Sequence, residues 1–237
     1  MTKNFNLKLF LSISLGFVCF TIIGTLSHEL GHCAAAKYLG MTNIELHYAS
    51  MNYDNPNTPY QKELYSLHEQ DIKEHKSFSA KAEYDKLTAD IHHNSFFITA
   101  SGPMQSMLTG TIGLIVLIFY GKKFKINDTL KFMGWIWLFL SLFWLRQSAN
   151  FILAFIKFIV NGNKWGHSDE VRLANSLHLP LYSISFFTGA IGILILAWIS
   201  IVYIPRNNLK TFLLGGLVGG FWGYLIWLNW LGEYILP

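Results

Sequence analysis

Charged residues are scarce in this 237-residue chain, 14% against the roughly one quarter of an ordinary soluble domain, while 52% are hydrophobic. That shortage argues against a water-soluble globule. Cysteine is scarcer still. Cys19 and Cys33 stand 14 positions apart, and on one helix rising about 1.5 Å per residue that is too far for a disulfide. No covalent framework is expected, and the two cysteines say nothing about redox compartment. Internal repeats and low-complexity tracts are missing too, which leaves one undivided membrane domain over 1–237.

Charge is lacking altogether in residues 9–26, 95–120, 179–205 and 211–232, and 132–156 is broken only by Arg146. Each run is near or above the roughly 18 apolar residues that read as a membrane-crossing helix. The fold class expected is an all-α integral membrane protein with five spans, or six if the third breaks near Arg146-Gln147. Spans of about 9–40, 95–120 and 131–160 come first, spans of about 180–204 and 211–232 follow, and a polar insertion fills 42–93. Lys3 and Lys8 before an apolar run suggest a cleavable signal peptide. Such signals, however, have a shorter apolar core and a small-residue cleavage site. Here the run continues into the motif described below, so it is read as a span.

The net charge of +4 divides unevenly. Residues 45–90 hold nine acids and five lysines, a balance of −4 that leaves +8 for the remainder. Lys3 and Lys8, then Lys122, Lys123, Lys125 and Lys131, then Arg206 and Lys210 all fall on one side of a five-span chain. Short basic loops stay cytoplasmic. The expected localisation is therefore multi-pass in the plasma (inner) membrane, with a cytoplasmic N-terminus and the acidic insertion outside. The basic residues report topology, and nothing points to nucleic acid as a partner.

The first helix should run on to Gly40, a residue that commonly ends helices. Residues 44–48 alternate apolar and polar and predict a strand, and 52–59, with two prolines and three asparagines, predict a loop. Helices are expected over 61–75 and 79–93, the second with Ser79 as N-cap. The insertion is placed to form a lid over the motif.

That motif is His28-Glu29-Leu30-Gly31-His32. Four positions apart on a helix, His28 and His32 project from one face with their nitrogens close enough to share a metal. Zinc accepts such nitrogens and, in catalytic sites, keeps a position for water. Glu29 lies beside that face, where a carboxylate can take a proton from metal-bound water and hand it to a leaving amine. Ionisable residues in an apolar span are costly and are generally functional. A third ligand must reach the same membrane depth. By the order of spans, the motif ends the first span on the side where residues 161–178 emerge from the third. That loop offers Asp169, with Glu170 and His167 as alternatives, since carboxylate and imidazole both serve zinc.

A His-Glu-x-x-His in a span, Ser101-Gly102-Pro103 near the start of the next, and an Asp after a third together resemble the site-2 protease family of intramembrane metallopeptidases, over roughly residues 21–173. The resemblance implies a three-helix core holding zinc, an Asp as third ligand, and substrates that are membrane-spanning or membrane-associated proteins. It also implies that strand 44–48 is an edge that presents backbone to an extended substrate, and that Asn150 positions substrate or stabilises an oxyanion. The chain departs from the family pattern in three ways. Asp169 is followed by Glu170 and not by Gly, no Pro separates Asn150 from Asp169, and that separation is long.

Other polar residues have simpler readings. Asn150 also fits a polar contact between helices. His92-His93 reads as an interfacial helix end, and His47, His68, His75 and His178 as surface. Arg146 should turn from lipid and either pair internally or reach a polar cavity. The glycines at 215, 216, 219 and 220 have the small-xxx-small spacing of a packing face, and Trp222, Trp227 and Trp230 suit an interfacial belt. Two other functions compete with zinc proteolysis: a non-proteolytic membrane protein of the same fold acting as regulator or binding component, and a histidine-rich di-iron lipid-modifying enzyme. The substrate and the oligomeric state are not legible.

Overall fold

A computed structural model describes residues 6–126, 129–160, 162 and 165–237. Lys3 and Asn161 lie outside them. Five helices are long and apolar enough to cross a membrane: Leu7–Tyr38, Lys81–Phe124, Phe132–Val160, Ser183–Val202 and Leu209–Ile235. This matches the all-α, five-span expectation.

Helix α1 (Leu7–Tyr38) is capped by Asn6, whose side chain accepts from Leu9 N at 3.0 Å. It stops at Leu39-Gly40, where Gly40 takes φ +76°, a left-handed conformation that glycine adopts without steric cost. Strand β1 (Thr42–Leu46) then pairs antiparallel with β2 (Met51–Asp54), Glu45 opposite Asn52, with a bulge at Asn43-Ile44. The pairing corrects the loop expected from residue 52. In β2, Met51 and Tyr53 turn inward while Asn52 and Asp54 face out, and the prolines come only after the strand. The hairpin seats on an apolar cluster of Ala36, Met41 and Ile98, with Ile44, Met51 and Tyr53 packed against it.

Helices α2 (Thr58–Leu67) and α3 (Glu69–Lys73) replace the single helix expected over 61–75. Gln61 ties α2 to the next helix through Tyr84 and Thr88, at 3.3 and 3.4 Å. That next helix, α4 (Lys81–Tyr120), has 40 residues and merges the expected helix 79–93 with the second span. Its cap is Ala80, not Ser79. At about 1.5 Å per residue it is roughly 60 Å long, twice the hydrocarbon thickness of a bilayer, so its polar first half projects beyond its apolar second half. Strands β3 (Lys125–Ile126) and β4 (Thr129–Leu130) form a short ladder behind it.

The third span bends without dividing. Helix α5 (Phe132–Ser141) passes through a 3-10 turn at Leu142–Trp144 into α6 (Leu145–Val160). The turn lies where α4 crosses: Cβ atoms at Gly110 and Gly113 would collide with Trp144 and with the backbone at Leu140-Ser141. Helix α7 (Asp169–Ser176) follows, then α8 (Ser183–Val202) and α9 (Leu209–Leu225). The chain closes with a π-helical segment at Ile226–Leu231 and α10 (Gly232–Ile235).

The glycine stripe of α9 packs on α1. A Cβ at Gly219 would lie 2.7 Å from Ser14 Cα, and one at Gly223 would lie 2.9 Å from Thr21 Cβ. Trp227 is buried and donates Nε1–H to Tyr48 O at 2.8 Å, so it belongs to the packing of the hairpin and not to a belt. The largest apolar cluster joins Ile13, Leu117, Leu138, Leu142, Ile195, Ile199, Tyr203, Ile204 and Phe212. By the order of spans these residues share one half of the helix bundle. The motif of α1 lies in the other.

Candidate metal centre

The site is assembled by α1, α4 and the first residue of α7. His28, Glu29 and His32 are buried, at 1%, 6% and 6% exposure. Asp169 Oδ2 lies 3.0 Å from His28 Nε2 and 3.2 Å from His32 Nε2. Among the described residues this is the one group of three or more His, Cys, Asp or Glu side chains whose ligand atoms all lie within 4.8 Å.

Helix α4 fits the other side of both imidazoles. Ile98, Gly102, Ser106, Gly110, Gly113 and Leu117 form its buried stripe at helical spacing. Gly102 meets the histidines directly, since a Cβ there would overlap Nε2 of His32 and lie 2.8 Å from Nε2 of His28. One turn to either side, the stripe supplies hydrogen-bond partners. His32 Nδ1 lies 2.6 Å from Ile98 O, and His28 Nδ1 lies 3.1 Å from Ser106 Oγ. A carbonyl only accepts, so His32 carries its proton on Nδ1 and presents a lone pair at Nε2. Ser106 holds His28 in the same orientation. Two imidazole lone pairs and a carboxylate oxygen then converge on one point, an arrangement of acceptors that a cation satisfies.

Charge around this point is also incomplete. Arg146 lies within electrostatic range of Glu29, Glu170 and Asp169. One guanidinium stands against three carboxyl side chains there, an excess of acidic groups that a divalent cation would offset. Arg146 Nη2 stands 3.8 Å from Glu29 Oε1, and Nη1 donates to Thr25 Oγ1 at 3.4 Å. This names the internal partner that the sequence left open. The two open members are Asp169 and Arg146, whose side chains are about a quarter exposed, 25% and 26%.

Of the alternatives in the same loop, His167 is exposed, and Glu170 is buried with Oε1 accepting from Asn150 Nδ2 at 3.0 Å. Asn150 thus makes the contact between helices, and the contact anchors α7 beside its Asp169. His92 and His93 lie mid-helix on α4 and are exposed, so they do not mark a helix end. His75 and His178 are exposed as expected. His47 is not a bare surface residue, because it bonds the Pro237 carbonyl and Asn52, and His68 stacks on Phe78 at 4.5 Å. Sequence reading missed Ser106 and the Ile98 carbonyl. The signal for both was their four-residue spacing from Gly102.

Searches among protein-family models, curated proteins and solved structures find no match to this chain.

Proposed function

We propose that the protein is an intramembrane zinc metallopeptidase of the site-2 protease type, hydrolysing peptide bonds of membrane-associated protein substrates. The observation that carries the reading is the convergence of His28 Nε2, His32 Nε2 and Asp169 Oδ2 beside Glu29, at the end of an apolar helix. His28, His32 and Asp169 would hold the ion, and zinc there would supply Lewis-acid activation of water and of the scissile carbonyl.

The chain's own residues perform the rest. Glu29 takes the proton of the attacking water and delivers it to the departing amine nitrogen. Ser106 and the Ile98 carbonyl fix the imidazole orientations, as partners of ligating histidines do. Gly102 removes the side chain that would fill the ligand space. Asn150, through Glu170, holds the start of α7 in register. The hairpin β1–β2 offers backbone to an extended substrate by strand addition. The five apolar helices support multi-pass insertion, and the basic groups at Lys122-Lys123 and Arg206 support a cytoplasmic N-terminus.

The test separates binding from chemistry. Glu29→Gln should retain zinc yet lose cleavage of a membrane-protein substrate by at least ~10²-fold, the low end of general acid–base contributions. Zinc binding by the wild type with no hydrolysis across a panel of membrane substrates would instead favour a non-proteolytic regulator of the same fold.

A further inference from the structure

We infer that Arg146 is a catalytic residue of this site, the group that receives the negative charge developing on the substrate carbonyl oxygen. The inference rests on the proposed peptidase function and extends it. A guanidinium carries five N–H donors. In this structure Arg146 spends one on Thr25, at a long 3.4 Å, and its approach to Glu29 at 3.8 Å is an ion pair beyond hydrogen-bonding distance. Its Nε is buried without a hydrogen-bond partner. Buried donors are ordinarily paired, and a charged group in an apolar span is kept for what it does there. Nη2 stands toward the general base at 3.8 Å, and the Arg146 and Asp169 side chains are each about a quarter exposed. An occupant bringing acceptor oxygens with negative charge completes the set.

Peptide hydrolysis supplies such an occupant. The water oxygen bonds to the carbonyl carbon while Glu29 takes the water proton, and the carbonyl π electrons move onto oxygen. Arg146 N–H groups donate to that oxyanion. When the C–N bond breaks, its electron pair goes to nitrogen, which takes the proton from Glu29; the remaining water proton passes from the new carboxylic acid to the amine, and the products leave as a carboxylate and an ammonium. Donors aimed at the developing charge act on the transition state more than on the bound peptide. The placement explains why Arg146 stands beside Glu29 without closing onto it.

The test uses the full chain loaded with cobalt(II), whose visible absorption reports ligands at the site. Inorganic phosphate serves as a small tetrahedral anion and imidazole as a neutral ligand. Cobalt uptake should be equal in wild type, Arg146→Gln and Arg146→Lys. Phosphate affinity should fall by about 10-fold or more in Arg146→Gln and by less in Arg146→Lys, which keeps the charge but loses the planar fork. Imidazole affinity should not move. Cleavage should lose about 10²-fold in kcat with little change in KM. Phosphate affinity that is unchanged, or that falls in step with imidazole, overturns the assignment of Arg146 and leaves the metallopeptidase reading standing. Failure of the wild type to take up cobalt or zinc overturns both. Should Arg146→Gln not accumulate, Arg146→Lys decides alone: weaker phosphate binding with unchanged imidazole binding supports the role, and unchanged phosphate binding overturns it.

Discussion

At Gly102 a single methyl group would occupy the space between helix α4 and both imidazoles, overlapping His32 Nε2 and lying 2.8 Å from His28 Nε2. Neither ring can retreat, because Ile98 O and Ser106 hold their Nδ1 sides. Gly102→Ala should therefore weaken zinc binding by at least ~10-fold, as loss of ligand support does, measured by competition with a chromogenic chelator. Gly220→Ala is the control, since a Cβ there meets nothing within 4 Å. Equal zinc affinity in the two variants would contradict the packing described. At this scale the sequence was partly legible. His28, Glu29 and His32 stood out because ionisable groups are rare in apolar runs. Asp169 followed from the order of spans. It was preferred over Glu170, although spacing alone does not separate two carboxylates in one turn. The difference arises from Asn150, 20 residues earlier, which donates to Glu170 and leaves Asp169 facing the histidines.

Among the elements, α9 and α1 depend on close backbone approach, with Gly219 against Ser14 and Gly223 against Thr21. Gly219→Val would force the two helices apart and should cost about 1–3 kcal/mol, the range of overpacked contacts, read as a lower midpoint of unfolding in detergent. A midpoint matching Gly220→Ala would contradict it. The tie between α6 and α7 offers a second check. Asn150→Leu leaves the buried Glu170 carboxylate without its donor, and about 1–3 kcal/mol of stability should go with it. Zinc affinity should fall as well, because α7 then loses its anchor beside Asp169. Zinc titration of the variant tests this, and an unchanged affinity would count against the anchoring role. Spans were legible because twenty apolar residues leave few other structures open to the chain. The continuity of α4 was not, because its first half is polar and its second apolar. Such a change of composition looks like a boundary, yet the run from Lys81 to Tyr120 contains only Pro103 as a breaker, and the helix absorbs it. Strand β2 was hidden by the asparagines and prolines that crowd its end.

On the scale of the whole molecule, the buried ionisable groups of the described residues are kept apart from the main apolar cluster. One half of the helix bundle is filled by the cluster from Ile13 to Phe212, and the other holds three carboxylates, a guanidinium and two histidines. Five crossings, an odd number, would place the two ends of the described chain on opposite sides. With Cys19 and Cys33 replaced by serine, a membrane-impermeant thiol reagent should label a cysteine placed at Lys73 from outside the cell. The same reagent should fail to label one placed at Lys123 or Arg206. The reverse pattern would invert the topology while leaving the site intact, because the site depends only on the order of the spans. The claim on which everything else rests is that His28, His32 and Asp169 hold a metal. Its most direct test is the zinc content of wild type, Asp169→Ala and the His28→Ala, His32→Ala double variant, purified in parallel without chelator. About one zinc per chain is expected in the wild type, clearly less in Asp169→Ala and no zinc in the double variant; full zinc in the double variant would contradict the account.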